Sequence, residues 1–74
     1  MEKMMFWFDK EGDVLDISIG NPKRSVSKEI GDDIILRIDP ETKEVNGFTI
    51  LNFERRSEKE KGFNIPVEAK FEIA

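Results

Sequence analysis

The stretch that decides the fold is IILRIDPETKEVNGFTILNF, residues 34–53, which has the pattern of two β-strands joined by a turn. On its left side Ile34, Leu36 and Ile38 occupy every second position, and the same apolar alternation resumes after the turn. Alternation of this period is typical of a strand with one buried face. The stretch therefore predicts a β-hairpin.

The centre of that hairpin, Asp39-Pro40-Glu41-Thr42, favours a type I turn. The Asp39 carboxylate can accept a backbone N–H, and the ring of Pro40 presets φ for the second turn position. Gly47 interrupts the returning strand, which predicts a bulge there.

A second hairpin is predicted nearer the N-terminus. Residues 4–9, MMFWFD, form the densest apolar run and indicate a strand that is apolar on both faces. Residues 14–19, VLDISI, alternate in the manner of a half-buried strand. Gly12, in the polar break between them, is the expected residue for a positive φ.

The remaining segments carry weaker or different patterns. Residues 23–30 are mostly polar and predict a strand at a sheet edge, with a loop as the alternative. Residues 54–61, ERRSEKEK, lack apolar side chains and predict a solvated loop or a short helical turn. From residue 63 to 73 apolar residues again alternate, which predicts a long amphipathic strand, with Pro66 limiting its pairing. The expected fold is mainly β, an antiparallel meander of five to six strands built on two hairpins.

Composition limits the architecture and the environment. A chain of 74 residues is expected to form one domain with a single core. The lack of cysteine favours a cytoplasmic location, and no apolar run is long enough for a signal peptide or a membrane span. The charged fraction of 38% is typical of proteins from hot-growing organisms.

A single sheet with these strands would leave apolar side chains on its second face. These candidate interface residues are Met5, Trp7, Ile35, Leu51 and Phe53. The sheet could close into a small barrel or sandwich, or a second copy could pack against it. We expect a homodimer, in which Met5 and Trp7 enter the subunit interface.

The two hairpins together resemble a known family. Residues 8–17, FDKEGDVLDI, are similar to the opening of a small prokaryotic family catalogued as domain of unknown function 2283, and residues 33–39 and 45–51 are similar to its second signature. The resemblance covers about residues 4–53. Phe8 stands where Tyr is usual, and the segment after Phe53 extends beyond shorter members. The resemblance implies a compact β-meander without an established activity, and it suggests an accessory or antitoxin-like role.

A calcium loop is the first chemical alternative. Asp9, Glu11 and Asp13 have the alternate spacing of its first ligands. The match fails further on, because Val14 stands at the position of the loop glycine and Gly20 at that of the bidentate glutamate. A hairpin turn explains these residues better, so neither metal nor cofactor is expected.

Catalysis would have to proceed without His, Cys or Tyr, which removes the common nucleophile and base pairs. Four carboxylates remain as candidates for a glycosidase-like pair: Asp13, Asp16, Asp33 and Asp39. Sixteen acidic residues on a small surface produce such pairs by chance. We therefore expect a protein that is not an enzyme.

Nucleic-acid binding is the second alternative. Its candidate contacts are Arg55, Arg56, Lys59 and Lys61, joined by Lys23 and Arg24 if the two segments meet in space. Interleaved glutamates and a net charge of -4 argue against it. The leading prediction is a homodimeric protein-interaction or accessory module. A small-ligand or metal-binding domain is the remaining alternative.

Overall fold

The computed structural model describes residues 3–21, 23–59, 62 and 64–73. Five strands and one helix lie in these ranges, which confirms a mainly β fold with a single short helix. Their bounds are β1 Met4–Asp9, β2 Val14–Ile19, β3 Val26–Gly31, β4 Ile34–Ile38, β5 Val45–Leu51 and α1 Phe53–Lys59. Within the described ranges, no helix is long and apolar enough to cross a membrane.

The strands form one antiparallel sheet in the order β1-β2-β5-β4-β3. Both predicted hairpins, β1-β2 and β4-β5, are present, and the pairing of β2 with β5 joins them. The order differs from that of a strict meander, because the chain passes from β2 to the far edge before it returns. This places β5 in the sheet centre, and three consecutive residues of that strand, Asn46, Gly47 and Phe48, are buried.

The core lies on one face of the sheet. Its buried apolar side chains are Ile17, Ile34, Leu36, Phe48 and Ile50. Ile65 and Val67, from the segment after the helix, pack against the cluster that contains Ile17, Leu36 and Phe48. The C-terminal segment therefore covers the core face instead of extending the sheet.

The prediction of a long strand over residues 63–73 is wrong for the part that can be described. Residues 64–73 contain no strand, and residue 63 lies outside the described residues. Pro66 has no N–H to donate, and the Val67 N–H donates to the Ile65 carbonyl at 2.8 Å, which forms a tight local turn. The apolar alternation places Ile65 and Val67 on the core without any need for strand pairing.

The central turn confirms the predicted role of Asp39. Its carboxylate accepts the N–H groups of Glu41 at 2.8 Å and Thr42 at 3.0 Å. These backbone hydrogen bonds, that of Thr42 first, lower the pKa of the Asp39 carboxyl below its ordinary value. The turn extends to Glu44, whose carbonyl accepts the Asp39 N–H, and Lys43 takes a φ of 67°.

The first turn repeats this arrangement with one correction. The Asp9 carboxylate accepts the N–H groups of Glu11 and Gly12, at 3.1 and 3.3 Å. Asp13, with a φ of 55°, takes the left-handed conformation that was expected of Gly12. An added Cβ at Gly12 would lie 2.9 Å from the Asp9 carboxylate, so the Asp9 side chain would have to shift to admit it.

The helix is attached to this turn. The Asp13 carboxylate accepts the N–H groups of Glu54 at 2.7 Å and Arg55 at 3.2 Å, so it satisfies donors that the first helical turn leaves free. The Arg56 guanidinium donates to the Asp32 carbonyl of the β3–β4 turn. The helix therefore lies at the end of the sheet that carries these two turns and contacts both of them.

Candidate interaction surface

Strand β1 exposes an unusual amount of apolar surface for a small protein. Its first five residues are all large and apolar, and each is between 39% and 60% exposed: Met4, Met5, Phe6, Trp7 and Phe8. The strand lies at the edge of the sheet, with β2 as its neighbour. Contiguous exposed apolar residues of this kind mark interaction surfaces in soluble proteins.

The backbone of β1 also presents hydrogen-bonding groups at this edge. The Gly20 N–H donates to the Lys3 carbonyl at 2.8 Å, which makes Lys3 and Gly20 a hydrogen-bonded pair. In an antiparallel ladder such pairs alternate with non-hydrogen-bonded pairs. The odd-numbered residues of β1 therefore bond to β2, and the even-numbered residues direct their N–H and C=O groups to the open edge: Met4, Phe6 and Phe8.

The opposite edge of the sheet has a different chemistry. An edge strand was predicted over residues 23–30, and the structure confirms it from Val26 onward. This strand, β3, carries Lys28 and Glu29 at its centre. Its pairing with β4 also shifts between Glu29 and Gly31. Charges and irregular pairing are the features by which natural sheets prevent an edge from pairing with another chain. Strand β1 has neither between Met4 and Phe8.

Four of the five predicted interface residues share the face opposite the core, called the second face below. Cross-strand pairing places Met5, Trp7, Ile35 and Leu51 on this face, because Met5 lies opposite Ser18 and Ile35 opposite Thr49. Met5 and Trp7 are nearly half exposed, whereas Ile35 and Leu51 are more buried. Phe53 begins α1, and its ring contacts that of Phe8 edge to face at 5.9 Å.

The centre of the second face is polar. The Arg37 guanidinium donates to the Asp16 carboxylate at 2.5 Å, to the Thr49 hydroxyl at 2.9 Å and to the Ile17 carbonyl at 3.0 Å. The Thr49 hydroxyl in turn donates to Asp16 at 3.0 Å. This network lies between the two apolar sides of the face. The candidate interface is consequently not one continuous apolar patch.

Sequence reasoning did not find this network. Asp16, Arg37 and Thr49 each occupy an outward position of a predicted strand, but their contact depends on β5 lying between β2 and β4. The signal that was available is Gly47. An added Cβ there would overlap the Arg37 guanidinium and lie 2.5 Å from the Ile17 carbonyl oxygen, so glycine lets the arginine cross β5. The predicted bulge lies beside it, where the register shifts opposite Arg37 and Ile38.

A shallow depression of about 350 Å³ lies next to this network. Its lining residues are Trp7, Asp16, Ser18, Lys23, Ser25, Arg37 and Asn46. Asn46 is buried and donates to the Ser25 hydroxyl at 2.8 Å, and Ser18 is buried and donates to the Gly20 carbonyl at 3.3 Å. Each of these polar groups has a partner within the protein. Because Trp7 is one of its lining residues, the depression lies directly beside β1 on the second face.

The acidic candidates have structural partners. Asp39 holds the central turn, Asp13 holds the helix, and Asp16 pairs with Arg37. Asp33 takes a positive φ in the β3–β4 turn, where its carbonyl accepts the Leu51 N–H. Of the proposed calcium ligands, Asp9 and Asp13 bind the amides of different segments. In the described part of the chain, no group of three or more potential metal ligands forms a cluster.

The basic candidates lie in two separate places. Arg55 and Lys59 are exposed on α1, Arg56 binds the Asp32 carbonyl, and Lys61 lies outside the described residues. Lys23 lines the depression, and Arg24 follows it on the chain. Residues 23–24 follow β2 at the end of the sheet opposite the β1–β2 turn, to which the start of α1 is bound. The described basic residues of the two segments therefore come from opposite ends of β2.

These features define a small antiparallel β domain with one protected and one apolar edge. The model of a family described as "Protein of unknown function (DUF2283)" matches residues 5–53, which are 49 of the 74 residues. The chain belongs to this family. The matched part contains both hairpins and ends at the start of α1. No curated protein and no solved structure matches the chain.

Proposed function

We propose that the protein is a non-enzymatic, homodimeric interaction module and that β1 forms the centre of its interface. The observation that carries the proposal is the contrast between the two edges of the sheet. Five exposed apolar residues line one edge, and Lys28 and Glu29 protect the other. An accessory or antitoxin-like role would use the same surface to hold a protein partner.

The residue inventory supports a role other than catalysis. The chain has no His, Cys or Tyr, and in the depression beside β1 the charged side chains Asp16 and Arg37 bind each other. A pair held in this way is a structural element of the sheet. A nucleic-acid role receives no comparable support, because the two basic segments lie apart and glutamates interleave with one of them.

The experiment is light scattering coupled to size exclusion over a concentration series. We expect a particle of twice the 8.6 kDa chain mass at tens of micromolar. A particle of 8.6 kDa throughout that range would contradict the homodimer.

A matched pair of alanine variants locates the interface. Trp7 on β1 is 46% exposed and Val26 on β3 is 52% exposed, so both are apolar edge residues of similar exposure. Trp7→Ala should raise the dimer dissociation constant about 30-fold, as expected for an aromatic hot spot, and Val26→Ala should leave it unchanged. Equal effects of the two variants would show that β1 has no special role.

A further inference from the structure

We infer that β1 pairs antiparallel with β1 of a second copy, about a two-fold axis at Phe6, so that two five-stranded sheets become one sheet of ten strands. The inference rests on the proposed homodimer and specifies its geometry. Strand addition at an open edge is a general mode of protein association, in which main-chain hydrogen bonds supply affinity and side chains supply specificity. Strand β1 offers both.

Hydrogen bonding restricts the possible registers. Within β1, Met4, Phe6 and Phe8 direct their N–H and C=O groups outward, so a partner strand must present its even-numbered residues to them. An antiparallel copy satisfies this condition in two ways. The two-fold axis can pass through an even-numbered residue, which then forms a hydrogen-bonded pair with its copy. It can also pass through an odd-numbered residue, which lies between two hydrogen-bonded pairs. Self-pairing then satisfies edge groups of both copies with identical bonds.

Side-chain chemistry selects the axis at Phe6. In this register Phe6 lies opposite the partner's Phe6, Met4 opposite the partner's Phe8, and Met5 opposite the partner's Trp7. Just beyond these apolar pairs, Lys3 lies opposite the partner's Asp9. The two-fold axis repeats each pair, so the charged pairs close both ends of the apolar strip.

Neighbouring registers lose this complementarity. An axis at Met5 sets Lys3 against the partner's Trp7, and an axis at Trp7 sets Met5 against the partner's Asp9. In each case a charge faces an apolar residue, and the apolar strip is left partly unpaired. The register centred on Phe6 matches apolar with apolar and lysine with aspartate.

Edge pairing also avoids a cost that face-to-face packing would incur. A second copy stacked on the second face would cover the Arg37–Asp16 ion pair, whose side chains are 26% and 40% exposed. Removing a charged pair from water is unfavourable unless new partners replace the lost hydration. Pairing through β1 leaves this network at the surface of each subunit.

Cysteine cross-linking tests the register, since the chain has no cysteine of its own. Phe6→Cys places two thiols at the axis, where a hydrogen-bonded antiparallel pair has a Cα separation of about 5.5 Å that a disulfide can span. Lys28→Cys is the matched control, because Lys28 lies on the same cross-strand row as Phe6 at the other edge. Under mild oxidation the Phe6→Cys disulfide should form about a hundredfold faster.

Amide exchange of the unmodified protein gives a second readout that does not depend on any variant. Raising the concentration should protect the N–H groups of Met4, Phe6 and Phe8, whereas those of Met5 and Trp7 are protected in both states. This alternate pattern follows from edge pairing alone. Face-to-face packing would not produce this alternate protection.

The outcomes separate the inference from the proposed function. A dimer in which Phe6→Cys cross-links no faster than Lys28→Cys, or in which even-numbered amides stay unprotected, overturns the register and leaves the homodimer standing. A monomer at tens of micromolar overturns both. The exposed tail of a second copy is another candidate occupant of the β1 edge, since its residues Phe71 and Ile73 are 75% and 99% exposed. The variant Phe71→Lys/Ile73→Lys should retain the dimer, and its loss would assign the edge to the tail.

Discussion

Strands β1 and β3 occupy equivalent places in the sheet, since each is a six-residue edge strand with one neighbour, yet their chemistry is opposite. Strand β3 carries Lys28 and Glu29 and an irregular register. Strand β1 carries five large apolar residues in a row. Protection is thus present at one edge only, and this contrast is the basis for the proposal that the other edge pairs with a second copy.

The energetic difference between the edges is substantial. Full burial of a large apolar side chain contributes about 1.5 to 3 kcal/mol, so each roughly half-exposed residue of β1 leaves about 1 kcal/mol unrealised in the monomer. In the proposed dimer, association of the apolar edge would recover part of this free energy from both copies. Strand β3 offers no comparable gain.

The strongest test of the contrast between the two edges is to place a charge on β1 like those on β3. Phe6→Lys should raise the dimer dissociation constant at least about a hundredfold, because it sets two like charges opposite each other at the axis. The fold should persist, since Phe6 is 60% exposed. Sedimentation equilibrium measures the constant, and Lys28→Glu on β3 is the control that should leave it unchanged. Retention of the dimer by Phe6→Lys would contradict the role of β1.

The reciprocal change gives β3 the chemistry of β1. The double variant Lys28→Phe/Glu29→Val should form species larger than a dimer, because each subunit then has two adhesive edges. Light scattering detects them as a mass that rises with concentration. Lys28→Gln/Glu29→Gln keeps the edge polar and should remain dimeric. A double variant that stays dimeric would mean that the backbone of β3, and not its charges, protects this edge.

A glycine pair extends the comparison from edge to centre. Gly47→Ala on β5 should reduce the free energy of unfolding by about 2 to 3 kcal/mol, because its Cβ would overlap the Arg37 guanidinium and approach the Ile17 carbonyl. Gly31→Ala on β3 is the control, since no described atom lies within 4 Å of its added Cβ, and it should change stability by less than about 0.5 kcal/mol. Urea denaturation measures both, and equal losses would contradict the steric account.

The smallest expected effect concerns a turn that lies away from the interface. The lowered pKa of Asp39 stabilises the fold above the ordinary carboxyl pKa of 3.8, and this contribution is lost as the pH falls through the lower folded-state value. Asp39→Asn should therefore flatten the acid limb of stability against pH and leave dimer affinity unchanged. Glu41→Gln, in the same turn, is the control. An unaltered acid limb would show that the turn amides do not hold this carboxylate in solution.

Part of the candidate interaction surface was predictable from local pattern. The density of apolar residues identified Met5 and Trp7, and alternation placed Ile35 and Leu51 on the same face. The network of Asp16, Arg37 and Thr49 was not predictable, because residues from three strands meet there and their register is a long-range property. The separation of the two basic segments depends in the same way on where the ends of β2 lie.

By itself the sequence determined the strands and turns of both hairpins. Side-chain alternation and the hydrogen bonds of Asp39 and Asp9 act over only a few residues, so they can be recognised locally. Tertiary structure alone decided the strand order and the use of the C-terminal segment. Residues 64–73 alternate like a strand, yet Ile65 and Val67 cover the core and Pro66 has no N–H with which to pair. An alternating pattern shows which side chains are to be buried, but only the assembled sheet decides which surface they pack against.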